Sequence, residues 1–157
     1  MRKEGDDEEM KRIKGGTKII RGQMPVNTAN QRITLFDGKF TTGFKVVRFE
    51  IWPKKPLSNL EFSFILSTQE VANIIDNNFQ DVTQIGWAAT DTNNTKFQDA
   101  GVLDPEALII EDLYVTNRGS TDDTFCNYLI ELEKYEFTAW DGASNMVRNQ
   151  SQAGPPA

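Results

Sequence analysis

The sequence predicts a mainly β protein: an antiparallel β-sandwich of jelly-roll type, with one short helix and extended termini. Two stretches alternate apolar and polar residues with a period of two, and Asp37-Gly38 has the composition of a hairpin turn. No unit recurs at a fixed period, so a repeat architecture is not expected. The length of 157 residues fits one domain. A chain this size hides roughly 68–70% of its unfolded surface, enough for a core without metals or disulfides.

Residues 1–16 carry five cations and five anions, with Met1, Met10 and Ile13 as the only sizeable apolar side chains. Such a stretch buries too little surface to offset the entropy of ordering it, so it is expected as a charged arm. At most, 7–14 would form two helical turns, stopped by Gly15-Gly16. The β-sandwich domain is expected over 17–142, opening with a strand at 17–21. Next, Ile33–Phe36 and Lys39–Thr42 flank Asp37-Gly38 as a two-residue hairpin. A strand at 44–52 is stopped by Pro53 and Pro56. In 60–66, Leu60, Phe62, Phe64 and Leu66 share one face while Glu61 and Ser63 take the other.

Ser67-Thr-Gln-Glu70 then matches a capping box, and Val71, Ile74 and Ile75 recur at helical spacing before Asn77-Asn78. The short helix is expected here. Further strands are expected at 84–90, 107–116 and 125–137, giving six to eight in all. In the last, Cys126, Tyr128, Ile130 and Leu132 face inward and Asn127, Glu131 and Glu133 outward. Residues 143–157 end in a polar, Pro-rich tail without core-forming side chains.

The composition excludes much chemistry. With no histidine, the chain cannot build Ser-His-Asp or Cys-His catalysis, His-ligated zinc or an imidazole switch. One cysteine rules out intrachain disulfides and Cys-cluster metal sites. A net charge of −6 is expected to repel nucleic acid and anionic membranes. No apolar run approaches the ~18 residues of a membrane span. The N-terminus has no apolar signal region, so a soluble protein is expected, and the sequons at Asn93 and Asn149 read as chance.

Four constellations are candidates for chemistry. Carboxylate pairs come first: Glu111-Asp112, and Glu131 with Glu133, about 7 Å apart on one strand face. The solvated outer face of a strand explains the latter pair better. Second, Asp91-Thr-Asn93-Asn-Thr95 starts like a calcium loop. Lys96 stands where such a loop needs Gly and Val102 where it needs Glu, so an irregular site on Asp91, Asp99 or Asp104 is the version left open beside an ion-free loop. Third, Gly15-Gly-Thr-Lys18 lacks P-loop spacing and is rejected. Cys126, on an apolar face with no histidine, reads as a buried inert thiol. Fourth, Trp52, Trp87 and Trp140, with Tyr114, Tyr128 and Tyr135, are candidates for a sugar-stacking platform, against the plainer roles of core or interface. No catalytic, cofactor-binding or metal residue is assigned, and no cofactor is expected.

Several segments together carry a resemblance. They are Ile20-Arg-Gly-Gln-Met-Pro-Val-Asn27 leading into Asp37-Gly38, Val46-Val-Arg-Phe-Glu-Ile-Trp-Pro53, Val102-Leu-Asp-Pro-Glu-Ala-Leu-Ile-Ile-Glu-Asp-Leu-Tyr-Val115 and Asn127-Tyr-Leu-Ile-Glu-Leu-Glu133. Over about 20–137, excluding both tails, the chain resembles small virion structural proteins of marine bacteriophages. The resemblance implies no catalytic residues. It implies a non-enzymatic capsid decoration protein located in the virion, with the major capsid protein, other virion proteins and its own copies as partners. Contacts are expected from Met10–Ile13 and Met146–Pro156. A self-assembling coat, a tail component, a carbohydrate- or receptor-binding module and, last, a small glycosidase on Glu131 and Glu133 are the alternatives.

Overall fold

A computed structural model describes residues 10–55, 61–71, 76–93, 96–119 and 124–137, with 10–15, 91–93 and 96–100 described in backbone only. Eight strands lie among them: β1 (Met10–Pro25), β2 (Thr28–Thr34), β3 (Thr42–Pro53), β4 (Glu61–Ser67), β5 (Gln84–Asn93), β6 (Lys96–Leu103), β7 (Asp112–Gly119) and β8 (Phe125–Phe137). They form two antiparallel sheets, β1-β8-β3 and β2-β7-β4-β5-β6. The β-sandwich expected from the sequence is the fold.

The alternation in β4 and β8 builds its core. Phe62, Phe64 and Leu66 from one sheet meet Phe49, Ile51, Tyr128, Ile130 and Leu132 from the other, all buried. The Phe64 ring packs against those of Phe49 and Tyr128, with centroids 6.2 Å apart in each pair. Side chains of this size each contribute about 1.5–3 kcal/mol when fully buried. Buried Asn117 on β7 ties the sheets together, its Nδ2 donating to the carbonyls of Met24 and Pro25 on β1 at 3.1 Å.

Three local expectations are corrected. Asp37-Gly38 is a turn, with Gly38 at φ +88°, but its flanks do not pair with each other. β2 pairs with β7 and β3 with β8, so the turn carries the chain from one sheet to the other. The amides of Leu35 and Phe36 instead donate to the Glu111 carbonyl.

The short helix is also absent among the described residues, although 72–75, including Ile74 and Ile75, lie outside them. Ser67 ends β4, and its hydroxyl donates to the Gln69 carbonyl rather than capping a helix. The Thr68 amide donates to the Thr83 carbonyl, and the Val71 amide, which a helix would direct to the Ser67 carbonyl, donates to Asn30 Oδ1 instead.

Third, β1 starts at Met10, inside the expected arm, and the helical turns expected over 7–14 are replaced by strand from residue 10. Met10, Lys11 and Arg12 pair with Phe137, Glu136 and Tyr135. A neighbouring strand supplies backbone partners whether or not the side chains are apolar, which composition does not reveal. Gly15-Gly16 falls in the register shift between Arg12 and Thr17.

Candidate functional site

The sheet β1-β8-β3 turns one face to the core and the other outward. On the outward face two cross-strand rungs lie side by side. One runs Gln23, Asn127, Trp52, and the next Arg21, Leu129, Glu50. Rungs two residues apart are about 7 Å from each other, and the outer strands of three are about 10 Å apart. The six side chains therefore surround a patch the size of a small organic ring.

An open depression of about 640 Å³ lies over this patch and is lined by all six. Trp52 is 54% exposed and forms one wall beside Glu50, with Arg21 and Gln23 opposite. Leu129 and Asn127, half-buried, form the floor. Gln23 Nε2 donates to Asn127 Oδ1 at 2.9 Å, which orients both amides. Beneath them Tyr128 fills the space that a side chain at residue 22 would occupy, so Gly22 lets β1 lie close over the phenol ring. One rung further, Lys54 Nζ sits 5.1 Å above the centroid of the Phe125 ring.

The other aromatic candidates are placed differently. Trp87 is half-buried on the opposite sheet, where its Nε1 donates to Gln84 Oε1 at 2.9 Å and its ring packs on Phe79 with centroids 4.3 Å apart. Tyr128 is in the core, and burial raises its pKa. Tyr135 donates to Glu133 at 3.1 Å and carries Lys45 over its ring. Tyr114 lies beside the Arg32–Asp112 pair, its pKa raised by burial and then by the Asp112 charge. Trp140 lies outside the described residues. A row of three tryptophans is therefore not the arrangement, because Trp52 and Trp87 stand on different sheets.

The carboxylates each have a contact of their own. Glu131 faces Arg48 at 3.7 Å, and Glu133 accepts from Tyr135. Asp112 pairs with Arg32 at 3.1 Å. The stretch starting at Asp91 is one side of a β-hairpin in which Asp91 pairs with Gln98 and Asn93 with Lys96; Asn94 and Thr95 lie outside the described residues. Asp104 Oδ1 accepts from the Glu106 amide in the turn after β6. Among the described residues, no three acidic, cysteine or histidine side chains gather as a metal site. Cys126 is fully buried, and burial pushes its thiol up to about 12.

Sequence reasoning found Trp52 but not its surroundings. Nothing in the sequence joins Arg21, Gln23, Glu50, Asn127 and Leu129 to Trp52 as one site. Strand parity predicts that Glu50 and Trp52 share a face. Which residues of β1 and β8 stand beside them depends on register, which one sequence does not carry. No protein-family model matches the chain, and no curated protein does.

Proposed function

We infer that this chain is a non-enzymatic structural protein of a bacteriophage particle. It decorates the icosahedral head by binding the major capsid protein and copies of itself. The reading rests on the resemblance of 20–137 to small phage virion proteins. The observation that supports it most is β1, a 16-residue strand at the edge of its sheet, paired with β8 alone among the named strands. A long strand edge without a second named partner offers a row of backbone donors and acceptors to a neighbouring chain. Repeated around a symmetric shell, weak contacts of this kind add through avidity.

An antibody raised against the full chain tests the reading by immunogold microscopy of purified particles. Label on the heads is the expected result. Label confined to tails would select a tail component instead. Its absence from intact and disrupted particles would overturn the virion reading.

A further inference from the structure

The depression on the outward face of β1-β8-β3 has a composition that neither the core nor the proposed assembly contacts explain. The six outward side chains that line it are one large aromatic, one aliphatic, two amides, one cation and one anion, beside Gly22, Ile51 and Tyr128 of the inward face. Protein–protein interfaces are enriched in Trp and Arg but depleted in Lys, Glu and Asp, so Glu50 is the member that such a role does not explain. Here Arg21 and Glu50 stand on opposite walls, one rung from Trp52, and their charges cancel. A groove of zero net charge favours an uncharged ligand. The exposed indole offers a flat apolar surface, while the amides and charged groups around it offer donors and acceptors in several directions.

An uncharged sugar ring has the matching pair of properties. Its axial C–H groups form an apolar face, and its hydroxyls radiate from the rim, each both donor and acceptor. We propose that this groove binds a neutral hexopyranose oligosaccharide, with one ring stacked on Trp52. The Gln23–Asn127 hydrogen bond uses one donor of Gln23 and one acceptor site of Asn127. It leaves the Gln23 carbonyl oxygen and the Asn127 amino group to hydroxyls on that ring. Glu50 accepts from hydroxyls on one side and Arg21 donates on the other. The groove is open and shallow, so binding is weak per site, with Kd of about 0.1–1 mM. The site does not rest on the virion reading and survives its failure.

The test is an NMR titration of the ¹⁵N-labelled full chain with maltohexaose, cellohexaose and laminarihexaose, each to about 10 mM. At least one should move the Trp52 indole N–H and the Gln23 and Asn127 side-chain amides together. Trp52→Ala should weaken that binding roughly tenfold or more. Glu50→Gln keeps the indole and should weaken it several-fold, covering the case in which the tryptophan variant loses its dispersed spectrum. The proposal is overturned if none of the three sugars moves these resonances. It is equally overturned if binding persists in both variants, or if the Trp52 indole shifts with protein concentration alone, which would place a second copy on this face.

Discussion

Asp37 joins three parts of the fold through one carboxylate. Its Oδ2 accepts from the Thr42 hydroxyl at 2.7 Å and faces Lys134 Nζ at 2.9 Å, while Oδ1 accepts from the Lys39 amide at 3.0 Å. Burial alone would raise its pKa. The bonds from Thr42, Lys134 and the Lys39 amide outweigh that and hold it at about 2, below the ordinary 3.8. A depressed carboxyl stabilises the fold fully above its unfolded pKa and loses that contribution as pH falls through the folded value. After discounting for solvent screening of this partly exposed group, the contribution is about 1 kcal/mol. Asp37→Asn should therefore be about 1 kcal/mol less stable than the parent at neutral pH. The gap should close between about pH 4 and pH 2, read by urea denaturation across that range. A gap that stays constant down to pH 2 would show that the carboxylate's charge is not what matters. The sequence exposes Asp37 as a turn residue but not as an anchor, because Lys134 is distant along the chain.

Individual strands are legible where one face is buried and the other wet. β8 is read with both ends correct because its inward and outward residues alternate from Cys126 to Leu132, and β4 within one residue from the apolar residues at alternate positions, although Ile65 on its other face is buried as well. The hairpin at Asp37-Gly38 fails for the opposite reason: turn chemistry reports a change of direction, not which strands become neighbours. β6 is not legible in the sequence, since Gly101 and Ala100 lie in a strand that owes its place to pairing with β5. Over the described residues 67–71 the expected helix fails through Asn30. This residue sits in a one-residue irregularity of β2 at φ 61°. Its Nδ2 donates to the Val71 carbonyl and its Oδ1 accepts from the Val71 amide, both at 2.7 Å. Such a pairing mimics a backbone ladder and holds the segment after β4 against a strand 41 residues away in sequence. Asn30→Ala loses both bonds and the short polar side chain that lets Asn tolerate left-handed backbone, at a cost of about 2–3 kcal/mol. Asn30→Gly keeps the backbone and should cost about 1 kcal/mol less. Amide exchange at Val71 should rise in both variants, more than at Leu66 in the core of β4. Equal acceleration at the two positions would mean that Asn30 supports the whole fold rather than this segment.

At the scale of the molecule, the N-terminal region divides where composition does not. The sequence places the arm's end at residue 16, whereas the ladder between β1 and β8 already runs at Met10–Arg12. The irregularity at Gly15-Gly16 then splits β1 into a short outer ladder and a long inner one from Thr17 to Pro25. Removing residues 1–9 leaves both ladders whole, so the denaturation midpoint should not move. Removing 1–16 strips the outer ladder from the 135–137 end of β8 and should cost roughly 1–2 kcal/mol, a few backbone hydrogen bonds at about 0.5–1.5 kcal/mol each. The two truncations also separate stability from assembly. Under the proposed function, light scattering behind size exclusion should find oligomers of the full chain over a range of concentrations. A contact made by the charged segment alone would weaken these oligomers in both truncations. A contact made by the outer part of the β1 edge would spare the shorter truncation and weaken only the longer one. Identical monomers from all three chains would remove self-association from the reading and leave attachment to a preformed shell as its remaining form. If both truncations unfold at the same midpoint as the parent, the outer ladder contributes nothing to stability, and the boundary read from composition at residue 16 is the energetic one after all.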